Sequence, residues 1–169
     1  MISMRYLAFI LIIFFILNEN FAAESTHLRE VILSSLPTEF QTITLGKTTA
    51  KELSKLFGEP KLKENDFYYY NYSGVDYDLA FEIKNGIVSF ISIDLSASNK
   101  KLPKHSLSSL SAVFSVKEKN IINDNLSDPT KVKHEGLRII SFKQGGVRLL
   151  ISSNHNHDIK TVQFEMASK

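Results

Sequence analysis

The chain has 169 residues, 43% of them hydrophobic and 22% charged, with a formal net charge of +2. That length suits one domain with a real core, or two small units sharing one, and is too short for a large multidomain enzyme. Lys and Arg are scattered rather than clustered, which argues against a nucleic-acid binder. The absence of cysteine excludes disulfides, thiol catalysis, cysteine-based zinc sites and a lipid anchor on a cysteine after a leader.

Residues 1–23 read as a secretory signal peptide. Arg5 supplies the positive charge, residues 6–17 are apolar, Asn18-Glu19-Asn20 interrupts the run, and Ala22 and Ala23 are small residues suited to cleavage. The apolar run falls well short of the roughly 20 residues needed to span a bilayer. Export to the periplasm or medium is therefore expected, with no membrane span after cleavage.

Residues 24–98 form the first expected unit, with its N-terminal helix. Leu28, Val31, Ile32 and Leu36 recur at helical spacing over residues 26–36, and Pro37 ends the run. Residues 40–45 alternate as a short strand would. Thr48 or Thr49 can cap a helix whose apolar face is Leu53, Leu56 and Phe57, and Glu52 completes a capping box with Thr49. Gly58 is placed for the left-handed C′ position, with Pro60 beyond it. Aromatic residues 66–72, alternating residues 78–83 and residues 87–95 then read as a three-stranded meander. Asn85-Gly86 is its strongest hairpin signal.

Residues 99–169 echo this as a second, diverged unit. A polar stretch with Pro103 reads as a linker, and Ser106 is the candidate cap of a helix through about Val116. Shifting the first helix by 57 positions lays Leu53 on Leu110 and Phe57 on Phe114. A shift of 59 lays Lys84-Asn85-Gly86 on Lys143-Gln144-Gly145. Residues 137–142, 147–152 and 159–166 read as strands. Neither unit can bury its apolar side alone, so the expected fold is α+β: two helix-plus-β-meander units forming two layers, with helices packed on one antiparallel sheet.

Leu45-Gly46-Lys47-Thr48-Thr49, Glu52-Leu53 and Leu56-Phe57-Gly58-Glu59-Pro60, followed by an aromatic strand and a hairpin, resemble the opening of BamE-like (SmpA/OmlA) domains. The tandem arrangement resembles the beta-lactamase inhibitor protein, which is built from two such units. The resemblance implies a non-enzymatic protein of the cell envelope that docks onto another protein, or an inhibitor that presents a sheet and loops. It carries over no binding residue.

Chemistry is sparse. No serine sits in a Gly-x-Ser-x-Gly elbow, and Gly145-Gly146 lacks the Lys-Ser/Thr of a phosphate loop. Asp76 and Asp78 lie two apart, a carboxylate pair on paper. His155, His157 and Asp158 are the candidate metal ligands, since two histidines two apart on a strand share a face. Their place between two strands makes a solvated turn the preferred reading, so no metal and no cofactor is expected. Lys47, Lys51 and Lys55 recur every four residues on one helix face. The leading site is the aromatic strand, where alternation sends Tyr68, Tyr70 and Tyr72 to one side and Phe67 and Tyr69 to the other. Tyr68, Tyr70 and Tyr72 are taken as partner-binding residues on an open sheet face, against the alternative that they pack inside. The expected function is an exported, non-catalytic module docking onto an envelope protein as assembly factor, adaptor or inhibitor. The alternative is a small periplasmic ligand- or metal-binding protein.

Overall fold

The computed structural model describes residues 27–96, 102–133, 136–153 and 157–166. The expected leader, most of the expected linker and His155 lie outside these residues. Helix α1 occupies 27–35 and buries Leu28 and Ile32, with Leu36 just beyond it. The strand expected over 40–45 does not form. Pro37 instead starts a single helical turn, α2 (Thr38–Gln41), which drops Phe40 into the core. Proline's fixed φ suits a helix start. The aromatic contacts that Phe40 gains outweigh its weak alternation with its neighbours.

Helix α3 (Ala50–Phe57) opens on the capping box read from the sequence. The Thr49 Oγ1 accepts the Glu52 N–H at 3.3 Å, and Glu52 Oε2 accepts the Thr49 N–H at 2.8 Å. Thr48 has a different task, accepting the Thr44 N–H on its hydroxyl. Gly58 ends the helix at φ 78° and ψ −162°, an extended mirror-image conformation rather than the left-handed helical one expected.

Strands β1 (Leu62–Glu64), β2 (Phe67–Tyr70), β3 (Leu79–Lys84) and β4 (Ile87–Asp94) follow as an antiparallel meander, one strand more than the sequence suggested. Asn85 and Gly86 both take positive φ between β3 and β4, as their hairpin requires.

The second helix lies later than expected. Residues 107–113 are turns, and α4 spans Val116–Ser127. Its cap is Ser115, whose hydroxyl accepts the Glu118 N–H at 3.2 Å while Glu118 Oε2 accepts the Ser115 N–H at 2.8 Å. Ser106 has no Glu or Gln three positions on, and the serines around it bond one another and nearby backbone, which competes with helix. The 57-residue alignment of helices is therefore not the structural one. Arg138 closes the other end of α4, donating to the Asn125 and Asp128 carbonyls at 2.6 and 2.8 Å.

Strands β5 (Val132–Lys133), β6 (Leu137–Phe142), β7 (Val147–Ser152) and β8 (Ile159–Glu165) complete one eight-stranded antiparallel sheet in the order β1-β2-β3-β4-β8-β7-β6-β5. Strands β4 and β8 meet at its centre. The 59-residue alignment lays the β3–β4 turn on the β6–β7 turn, whereas the strands paired at the centre are β4 and β8.

The helices share one face of this sheet. Phe57 of α3 packs on Tyr70 and Phe81. Arg29 of α1 lies over Phe164, and α4 is tied to β6 through Arg138. Beneath them a buried row crosses six strands in register: Tyr70, Leu79, Ile93, Val162, Leu149 and Ile140. Among the described residues, no helix is long and apolar enough to cross a membrane.

Candidate interaction face

Strand β2 determines where the aromatic residues go. Tyr70 is 2% exposed, with its ring 5.7 Å from Phe81 and 5.9 Å from Phe57. Tyr72 meets Phe40 at 5.1 Å and Phe57 at 5.8 Å, and its hydroxyl donates to Glu39 at 3.4 Å. Tyr68 packs against the core and carries Lys63 over its ring at 4.8 Å. The expectation for Tyr68, Tyr70 and Tyr72 as residues of an open face is thus reversed: they line the face under the helices. The cause is distant in sequence, since Phe40 and Phe57 supply the aromatic environment these rings enter. Burial and the nearby Glu59 push the Tyr70 hydroxyl up to about 12. Burial, then Glu39, raises Tyr72.

The open face carries the other set. Phe67 and Tyr69 stack at 6.1 Å, Phe90 meets Phe67 edge-on at 6.3 Å, and Tyr77 meets Tyr69 edge-on at 5.9 Å. Leu62 is the register partner of Tyr69 and is 39% exposed, and Tyr77 is 52% exposed. These residues form a platform with a ring standing at each end. Sequence reasoning missed Tyr77 and Phe90. The signal for Phe90 was its position out of phase with buried Ile91 and Ile93.

Tyr77 is held by the 71–78 loop. Its φ is +59°, which L side chains rarely adopt. Its N–H donates to the Asn71 side-chain oxygen at 3.0 Å, and the Asn71 amide donates to Asp76 at 2.8 Å. Asp78, 1% exposed, accepts the Tyr72 and Ser73 N–H groups at 2.7 Å each and the Ser73 hydroxyl. Asp76 and Asp78 therefore brace the loop through separate partners.

Away from the aromatic end, the same face turns polar. The row Tyr69, Ala80, Ser92, Gln163, Arg148 and Ser141 runs in register across six strands. Arg148 reaches Glu165 at 3.3 Å and Gln163 at 3.5 Å, and Gln163 reaches Ser92 at 3.4 Å. Glu82 is held below the usual carboxylate range by Lys84 at 2.8 Å and by the Ser89 hydroxyl at 2.6 Å.

The histidine segment is only partly described. His157 has φ +47° and lies 3.4 Å from the Ser152 carbonyl, while Asp158 bridges to Ser106 and lies 3.9 Å from Lys160. Among the described residues, no group of three or more His, Cys, Asp or Glu could hold a metal ion. Lys47, Lys51 and Lys55 are all exposed.

No protein-family model matches the chain, and no curated protein matches it. Among solved structures, it is similar to the crystal structure of a DUF4309 family protein (YjgB) from Bacillus subtilis subsp. subtilis str. 168. That protein is 15% identical over 85% of this chain and 96% of that one, with a TM-score of 0.47.

Proposed function

We propose that this chain is an exported, non-catalytic binding module that docks a partner protein of the cell envelope through the open face of its sheet. The observation that carries the reading is the aromatic end of that face: Phe67, Tyr69, Tyr77 and Phe90, extended by Leu62, with no described element packed over it. Tyrosine buries much area at small entropic cost, which is why it concentrates at interfaces. The leader at residues 1–23 supports export to the periplasm or medium. The assembly factor, adaptor and inhibitor roles all use such a face.

The reading includes two diverged units, one of α3 with β1–β4 and one of α4 with β5–β8. Each opens on a Ser/Thr-x-x-Glu capping box, and their last strands pair at the centre of the sheet. The motif over residues 45–60 keeps the resemblance to BamE-like domains, in the tandem form of the beta-lactamase inhibitor protein, as the preferred relationship.

The test is crosslinking in intact cells with the full chain. A recurring envelope protein should be captured by the wild type, lost in Tyr69→Ser/Tyr77→Ser and retained in Lys51→Ser/Lys55→Ser. The same captures from the tyrosine variant, folded by circular dichroism, would remove the face from consideration.

A further inference from the structure

We infer that the segment docking on this face is cationic as well as apolar; the inference rests on the docking reading above. Charge in this protein is segregated along the sheet. Residues 62–94 hold six carboxylates (Glu64, Asp66, Asp76, Asp78, Glu82 and Asp94) against two lysines (Lys63 and Lys84), a net charge of −4 in a chain of +2. Neither lysine is free to neutralise the aromatic platform. Lys63 alternates to the other face of the sheet and lies over Tyr68, and Lys84 is 2.8 Å from Glu82.

Three carboxylates around the platform lack an ion-pair partner among the described residues. Glu64 is the register partner of Phe67 and shares its face. Asp66 precedes Phe67 in the β1–β2 turn, and Asp76 precedes Tyr77, bonded to the neutral Asn71 amide. All three are exposed. Aromatic faces attract Arg and Lys through the ring quadrupole, and the attraction grows as the cation is desolvated. A carboxylate rim adds long-range steering that raises the local concentration of a basic segment. The exposed Leu62 leaves apolar area for the stem or neighbours of each cation. The other half of the sheet differs: residues 137–165 carry four Lys or Arg against Asp158 and Glu165. A basic face on a second copy is thus the competing occupant. A separate partner is preferred because Arg148 already engages Glu165 and Arg138 is turned to the helix side, holding the end of α4.

The probes are two fluorescein-labelled peptides of equal length, one alternating arginine with leucine and one glutamate with leucine, titrated into the full chain by fluorescence anisotropy. The arginine peptide should bind. Its affinity should fall about tenfold in Glu64→Gln/Asp66→Asn/Asp76→Asn and decline steeply with salt, because exposed pairs are screened. It should be lost in Tyr69→Ser/Tyr77→Ser. Equal binding of both peptides, or wild-type affinity in the carboxylate variant, would overturn the cationic assignment while leaving the docking face standing. No arginine-peptide binding would overturn it too. Binding untouched by the tyrosine substitutions would remove the face itself. A concentration-dependent dimer in sedimentation, dissociated by those substitutions, would make the occupant a second copy and overturn the proposal. Thermal melts of each variant confirm that the change read is binding and not folding.

Discussion

Adjacent residues of β2 should differ sharply in what they contribute to stability. Tyr70 is 2% exposed, and its ring contacts Phe57 and Phe81. An aromatic side chain buries on the order of 150–250 Å², worth about 4–6 kcal/mol at roughly 25 cal/mol per Å². Tyr70→Ala should therefore cost about 4 kcal/mol, within the usual range for truncating a core aromatic. Tyr69 is half-buried, with ring contacts to Phe67 and Tyr77 rather than to the core under the helices, so Tyr69→Ser should cost less, about 1 kcal/mol. A third variant isolates the hydroxyl. Tyr70 Oη is buried without a hydrogen-bond partner; Ser54 of α3 lies near it, outside hydrogen-bond geometry. Tyr70→Phe removes an unsatisfied group and should be neutral or stabilising by up to about 1 kcal/mol. Equilibrium urea unfolding with a common m-value reads all three. If Tyr69→Ser destabilised as much as Tyr70→Ala, the face carrying Tyr69 would be covered and would offer no open aromatic platform.

The two capping boxes are far apart in sequence and share no partner, so Thr49→Ala and Ser115→Ala should each cost about 1 kcal/mol in urea and add in the double variant. Asp78→Ala strands the Tyr72 and Ser73 N–H groups. A loss of about 3 kcal/mol is expected, with faster hydrogen exchange at those two amides. His105 shares a 2.9 Å hydrogen bond with Ser35 of α1, and burial holds its pKa below the ordinary histidine value. The unfolded chain then takes up this proton first as pH falls. Stability associated with His105 is present above about pH 6.5 and is lost below it. Melting temperature should drop from pH 7 to pH 5 less steeply in His105→Gln than in the wild type. Equal slopes would show that other groups set the acid limit.

What could be read from the sequence was what short spacing controls. Thr49-x-x-Glu52 and Asn85-Gly86 each act within four residues, and both behave as their chemistry requires. The alternation of Leu79, Phe81 and Ile83 needed no outside information, because Glu82 and Lys84 are charged. Residues 67–70 offered no such contrast: every side chain is aromatic, so either phase buries rings. Phe40 and Phe57, from elements well upstream, settle the choice, and their contribution is tertiary. The late position of α4 had a local signal in Ser115-x-x-Glu118. The leucines at 107 and 110 and Phe114 obscured it by mimicking a helical stripe while serving the core from non-helical backbone.

The two faces of the sheet are under different demands. The helix-side row from Tyr70 to Ile140 is apolar at its core across six strands, as closing one core requires. The open-face row beside it changes from aromatic Tyr69, through Ser92 and Gln163, to Arg148 and Ser141 over the same strands. A face that no described element covers needs only to be soluble, and the polar middle and far side meet that need. Packing does not require Phe67, Tyr69, Tyr77 and Phe90 to gather at one end, nor Tyr77 to be held at φ +59° by Asn71. Solubility alone would favour replacing exposed aromatic area with charge. On the docking reading proposed above, a loop that spends hydrogen bonds on positioning an exposed ring serves what that ring would touch outside the chain, at the end of the sheet where the carboxylates also collect.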